Sequence, residues 1–186
     1  MATRDSAATK QRILDAATAE FAAYGLAGAR VDRIASKADA NKQLIYAYFS
    51  SKEGLFDAAI EVNMARLLDT VPFDADDLPA YAGRLFDFAV AHPQLVRLLR
   101  WHQLERPGVL GTLPQTVMSN HYKYIALTEA QAARKVSDAL PPEQLLTLIL
   151  ALIHGSAETL SLDSKQPIAI ERETLITGVR RLITPP

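Results

Sequence analysis

The sequence contains no cysteine. Disulfides, thiol nucleophiles and cysteine-ligated zinc are thereby excluded, and a reducing cytoplasm is the expected compartment. No apolar run reaches the roughly 18 residues a membrane span needs, and the opening MATRDSAATK lacks the apolar core of a secretory signal, so no membrane partner is expected. Strand-like alternation, internal repeats and low-complexity tracts are missing as well. His92, His102, His121 and His154 stand at no i,i+3 or i,i+4 spacing, which removes a local metal pair. There is no G-x-S-x-G, G-x-G-x-x-G or phosphate-binding loop. No catalytic residue, metal or cofactor is assigned.

What is present is an ordinary globular balance: 186 residues, 49% hydrophobic and 22% charged, rich in alanine and leucine. That composition favours helices and suffices for a small module plus a larger body. The formal net charge of −1 hides an asymmetry. Up to Leu55 there are eight Lys/Arg against six Asp/Glu, and beyond it twelve against fifteen. A mildly basic head on an acidic body suits a protein that touches nucleic acid with one end.

Helical periodicity predicts the elements in turn. From Thr9, Ile13, Leu14, Ala17 and Phe21 share a face, and Gly25 stands where a C′ glycine belongs. From Arg30 to Ala38, Val31, Ile34, Ala35 and Ala38 face inward. Asn41 is placed to cap a third, short helix, NKQLIYAYF, and Ser50 with Glu53 reads as a capping box for a fourth running to about Thr70. The segment VPFDADDLP breaks the pattern, and helices are expected over 79–91, 93–105, 114–139, 142–162 and 168–183. The fold expected is all-α with about nine helices.

Two helices joined by a tight turn, the second short and polar at its start, form a helix-turn-helix. Lysine suits guanine O6/N7, glutamine adenine and leucine a thymine methyl, so Lys42, Gln43 and Leu44 are candidate base contacts. Tyr46, Tyr48 and Lys52 suit phosphates. On pattern alone the stretch also fits plain packing of a short helical hairpin.

The motifs ILDAA, F-x-x-x-G, V-x-x-IA, N-K-x-x-IY-x-x-F and SKEGLF follow one another at regular spacing between Thr9 and Ile60. This stretch resembles the DNA-binding domain of the TetR (tetracycline repressor) family of bacterial transcriptional regulators. The resemblance implies a helix-turn-helix domain over residues 1–52, with the motif itself at about 30–49, and a helical effector-binding and dimerisation domain over 53–186. It implies DNA contacts at Lys42, Gln43, Leu44, Tyr46, Tyr48 and Lys52, with Arg30 and Arg33 as backbone or groove-edge contacts. Three departures stand out. The turn is Ala38-Asp39-Ala40 where the family often has Ala-Gly-Val, Ala29-Arg30 replaces a Thr/Ser cap, and Gln43-Leu44 replaces a small Gly-Thr pair.

In the body, Trp101, His102, His121, Tyr122 and Tyr124 are candidate pocket residues for a largely apolar effector. The segment from Pro142 is apolar almost all round, and Ala151 and Gly155 permit close helix approach. The resemblance makes the last two helices the homodimer surface, with Leu145, Leu148, Ile149, Leu152, Gly155 and Val179 as candidates. The function implied is a ligand-released repressor that binds a palindromic operator. A helical scaffold without DNA binding, or a small helical enzyme, are the readings it competes with.

Overall fold

The computed structural model describes residues 2–161 and 171–185. Among them the chain forms nine α-helices, one 3₁₀ turn at Leu110–Thr112 and no strand. The helices are α1 (Ala2–Gly28), α2 (Val31–Lys37), α3 (Lys42–Phe49), α4 (Lys52–Thr70), α5 (Leu78–Ala91), α6 (Pro93–Glu105), α7 (Pro114–Ala132), α8 (Pro142–Ser161) and α9 (Arg172–Ile183). The all-α expectation holds, and several boundaries differ from it; α9 starts only at Arg172, because Glu171 is extended (φ −70, ψ 149) and stands as its N-cap. α1 starts at Ala2, ahead of Thr9. α7 ends at Ala132 rather than at residue 139, because Arg134 turns left-handed (φ 56) and Gln131 Nε2 donates to the Ser137 and Leu140 carbonyls, both at 2.8 Å. The α4 cap is Ser51, whose Oγ accepts from the Gly54 N–H at 2.9 Å. The Ser50 N–H donates to the Tyr46 carbonyl and is not available to Glu53. Residues 162 and 168–170, which the sequence assigned to helices, lie outside the described residues.

The chain divides into two compact units, residues 1–66 with 97–113, and residues 67–96 with 114–186. In the first, Ile13, Ala17 and Phe21 of α1, Val31 and Ile34 of α2, Ile45 and Phe49 of α3, and Leu55, Phe56 and Ile60 of α4 close one core. Phe21 and Phe56 meet at 4.8 Å between ring centroids. Each such fully buried ring contributes roughly 1.5–3 kcal/mol, so two or three of them outweigh the weak propensity of helices as short as α2 and α3.

The second unit is built on α5, which packs against α8 and α9, with α7 against α8. Gly83 lets α5 and α9 approach closely: a Cβ there would stand 2.8 Å from Arg172 Nη2 and 3.0 Å from Ile176 Cδ1. Arg172 Nε sits 2.9 Å from both carboxylate oxygens of Asp87 on α5, and Leu175, Ile176 and Val179 turn inward.

Candidate nucleic-acid interface and helical body

α3 is short because its two ends are fixed locally. Asn41 Oδ1 accepts from the Leu44 N–H at 2.7 Å, and Ser50 leaves the helix at φ 63. Ile45 and Phe49, four residues apart, anchor one side in the core, while Lys42, Gln43, Tyr46 and Ala47 remain exposed. Gly54 is required where α4 meets the end of α3, since a Cβ there would lie 2.3 Å from the Phe49 carbonyl oxygen. The turn before α3 is made by Asp39 at φ 48, the left-handed conformation more usual for glycine.

The candidate contacts are not all equally available. Gln43 and Tyr46 are exposed, Leu44 is half-buried, and Arg30 is exposed at the start of α2, where it supplies no side-chain cap. Lys42 Nζ rests 3.1 Å from Asp32 Oδ1. An exposed pair of this kind is worth at most about 1 kcal/mol, so the ammonium exchanges readily to a base or phosphate. Lys52 Nζ donates to the Ala27 carbonyl at 3.3 Å, and the Tyr48 hydroxyl pairs with Ser6 Oγ at 2.9 Å.

Arg33 is engaged inward. Its Nε donates to Glu20 Oε1 at 2.7 Å, Nη2 donates to the Gly28 carbonyl at 3.1 Å, and the guanidinium lies over the Tyr24 ring at 4.4 Å. Glu20 is fully buried and also accepts from the Arg30 N–H at 3.0 Å. Burial alone would raise its pKa, but the Arg33 and Arg30 hydrogen bonds outweigh that and hold it below the ordinary value, while Glu20 raises that of Arg33. The pair locks α1 to α2 and presents the Arg30 backbone.

Trp101 and His102 fall in the same unit as α3, whereas His121, Tyr122 and Tyr124 lie on α7 in the other. Trp101 covers Gly25, whose φ of 67 ends the regular part of α1 and whose absent side chain leaves Trp101 Cε3 only 2.8 Å from a Cβ position. Glu105 follows one turn later and accepts from the Leu26 and Ala27 N–H groups. His102 is completely buried, stacked on Phe56 at 5.4 Å, with Nε2 3.4 Å from Asp57 Oδ1; Arg106 Nη2 donates to the other Asp57 oxygen at 2.9 Å. Burial depresses the His102 pKa against the pull of Asp57. These four side chains, at and just beyond the end of α6, fasten it to α1 and α4 within the first unit.

Of the α7 candidates, His121 and Tyr122 are exposed and Tyr124 is half-buried. Tyr122 borders an open cleft of about 380 Å³ with Phe73, Asp74, Asp76, Glu129 and Lys135. Within the dimer set, Leu145, Ile149 and Val179 are buried in the chain's own second unit. Leu148 (44% exposed), Leu152 (42% exposed) and Gly155 form the outer face of α8. Glu20 and Glu105 are structural participants that the sequence alone does not assign; Glu20 is a charged residue at a position where helical periodicity demands an apolar one, a legible signal, whereas Glu105 carries none.

A capped, core-anchored short helix behind a tight turn, on a helical body without strands among the described residues, defines a helix-turn-helix DNA-binding protein. Residues 13–59 match the family described as "Bacterial regulatory proteins, tetR family", and residues 77–181 match "Tetracyclin repressor-like, C-terminal domain". The chain belongs to the TetR family of transcriptional regulators, which are not enzymes. It is 46% identical over 154 residues to the HTH-type transcriptional repressor SCO4008 of Streptomyces coelicolor, covering 82% of this chain and 80% of that one. Over 167 residues it is 25% identical to the HTH-type nicotine-responsive transcriptional repressor HdnoR of Paenarthrobacter nicotinovorans, covering 85% and 86%. The crystal structure of SCO4942 from Streptomyces coelicolor matches with a TM-score of 0.79 at 35% identity, covering 94% of this chain and 98% of that one. Among the described residues no helix is long and apolar enough to cross a membrane.

Proposed function

We propose that this protein is a repressor that grips a palindromic operator as a homodimer, one α3 in each half-site, and releases it when a small, largely apolar molecule binds the helical body. The observation that carries the DNA reading is the rigid presentation of Lys42 and Gln43: the Asn41 cap and the buried Ile45 and Phe49 fix the start of α3 in the open. A recognition helix reads bases with its N-terminal residues, and a two-fold dimer places two such helices roughly 34–36 Å apart, or near a multiple of that, on a two-fold symmetric site. Arg30, Tyr46, Tyr48 and Lys52 serve phosphates, and Arg33 acts indirectly by holding α2. The outer face of α8, with Leu148, Leu152 and Gly155, is the dimer surface. The nicotine response in the name of one relative supports release by a small molecule.

The reading is tested by selecting bound fragments of the source organism's genomic DNA with the purified protein. A palindromic site should be enriched. Lys42→Ala or Gln43→Ala should each weaken that site by about 1–3 kcal/mol and relax preference at one or two base pairs per half-site. Lys52→Ala should instead weaken all sequences alike and flatten the salt dependence by about one ion per head. Equal losses on every sequence from all three changes would refute this division of roles.

A further inference from the structure

α7 has two kinds of inner face along its length. Its buried residues are Lys123, Leu127 and Ala130. Continued toward the N-terminus at the same helical spacing, the stripe passes through Asn120 and Thr116, both half-buried. The C-terminal half is therefore apolar, like any core-facing helix, and the N-terminal half offers a hydroxyl, an amide and an ammonium.

One of these polar groups is left without a partner, and another stands without a counter-charge. Lys123 is 8% exposed, and among the described residues it makes neither an ion pair nor a hydrogen bond; its Nζ faces the Phe73 ring, 5.9 Å from the centroid. Thr116 Oγ1 is closed off from solvent without a hydrogen-bond partner. A ring at that distance is a weak substitute for a carboxylate, and a buried cation without a counter-charge is costly. Burial accordingly pushes the Lys123 ammonium below the ordinary lysine range. Phe73 in turn meets the buried Tyr81 ring edge-on at 4.9 Å, so the surroundings on that side are aromatic. Packing gives no reason for lysine at a position where leucine or alanine would continue the stripe.

We propose that Lys123, with Thr116 and Asn120 beside it on α7, is the head-group subsite for the effector, and that the effector is an organic acid with an apolar body. The inference rests on the reading of the body as the effector-binding domain. The anion supplies the counter-charge that Lys123 lacks, its remaining oxygens accept from Thr116 and Asn120, and the aromatic side takes the apolar part. Relative to the plain sequence expectation of a largely apolar ligand, this adds a single negative charge at one end.

The test uses two probes on one scaffold, the anionic 1-anilinonaphthalene-8-sulfonate and its uncharged analogue N-phenyl-1-naphthylamine. They are titrated fluorimetrically into the full chain and into Lys123→Met and Lys123→Arg. The sulfonate should bind the parent at least tenfold more tightly than the uncharged probe. Lys123→Met should cost the sulfonate at least tenfold while leaving the uncharged probe within twofold, and Lys123→Arg should keep most of the preference. The Lys123→Met chain should melt no lower than the parent, since methionine fills the space without a buried charge. Absence of sulfonate binding by the parent, equal sulfonate affinity in Lys123→Met, better competition by dodecylamine than by dodecanoate, or a Lys123→Met chain that melts well below the parent would each overturn the proposal. A parent that selects an operator yet ignores the sulfonate loses only this inference. One that binds the sulfonate through Lys123 but selects no operator loses the regulator reading instead.

Discussion

Asp39 carries the turn between α2 and α3 at φ 48. An L-residue held there costs roughly 1–2 kcal/mol, less for aspartate than for most, and its carboxylate stands just ahead of a helix meant for phosphate-rich surroundings. Two substitutions separate these effects. Asp39→Gly should raise stability by up to about 1 kcal/mol in urea unfolding and also tighten DNA binding at low salt. Asp39→Asn should tighten DNA binding alike with little change in stability; an unchanged affinity would mean that the carboxylate does not face DNA. At this scale the local signals were readable in the sequence, as the Asn41 cap and the break at Gly25 in α1 show. Less readable was which of two adjacent serines caps α4, since that depends on Ser50 taking φ 63. The inward turn of Arg33 was also hidden, because its partner Glu20 is brought to it by the packing of α1 on α2.

Helix periods survive from sequence to structure; the neighbours of a helix do not. The sequence marks α6 as a helix and its aromatics as interesting, but only the fold shows that Trp101, His102, Glu105 and Arg106 fasten the end of α6 to α1 and α4. This attachment has a pH signature. The His102 pKa is depressed below its ordinary 6.5 by burial. The folded state therefore binds fewer protons than the unfolded chain, so stability is full above about pH 6.5 and declines as pH falls from there toward the lower folded value. The urea midpoint should fall over that window, and the fall should be smaller in His102→Gln. Equal slopes in the two proteins would remove His102 as the cause. The end of α7 is the one the sequence does not mark: it stops without glycine or proline, on a left-handed Arg134 fixed by longer-range bonds.

For the molecule as a whole, α8 shows why composition alone blurs two roles. Its apolar residues run almost all round, and the structure sorts them into Leu145, Leu146, Ile149 and Ile153, buried in the chain's own core, and Leu148 and Leu152, left outside. Replacing both outer leucines by glutamate should dissociate the dimer in sedimentation velocity while helical content by circular dichroism stays unchanged. A dimer that persists would place the two-fold surface elsewhere. Because operator affinity is shared between two heads, the same double substitution should weaken DNA binding far more than it weakens the fold. The family was thus legible in a run of about fifty residues. Which apolar faces look inward, and which charged groups are stranded there, required the tertiary packing.

The docking of Trp101 on Gly25 and of Glu105 on the Leu26 and Ala27 amides also bears on how such regulators are recombined. A reading head cut from this chain at the end of α3, or even at residue 66, would lose Leu98, Trp101, His102 and Glu105, and with them the cover of Gly25 and Phe56. Hybrid regulators that exchange heads between relatives should therefore carry the 97–113 segment along with the N-terminal helices. A swap at the apparent sequence boundary would join two functional halves but leave each head without its own floor.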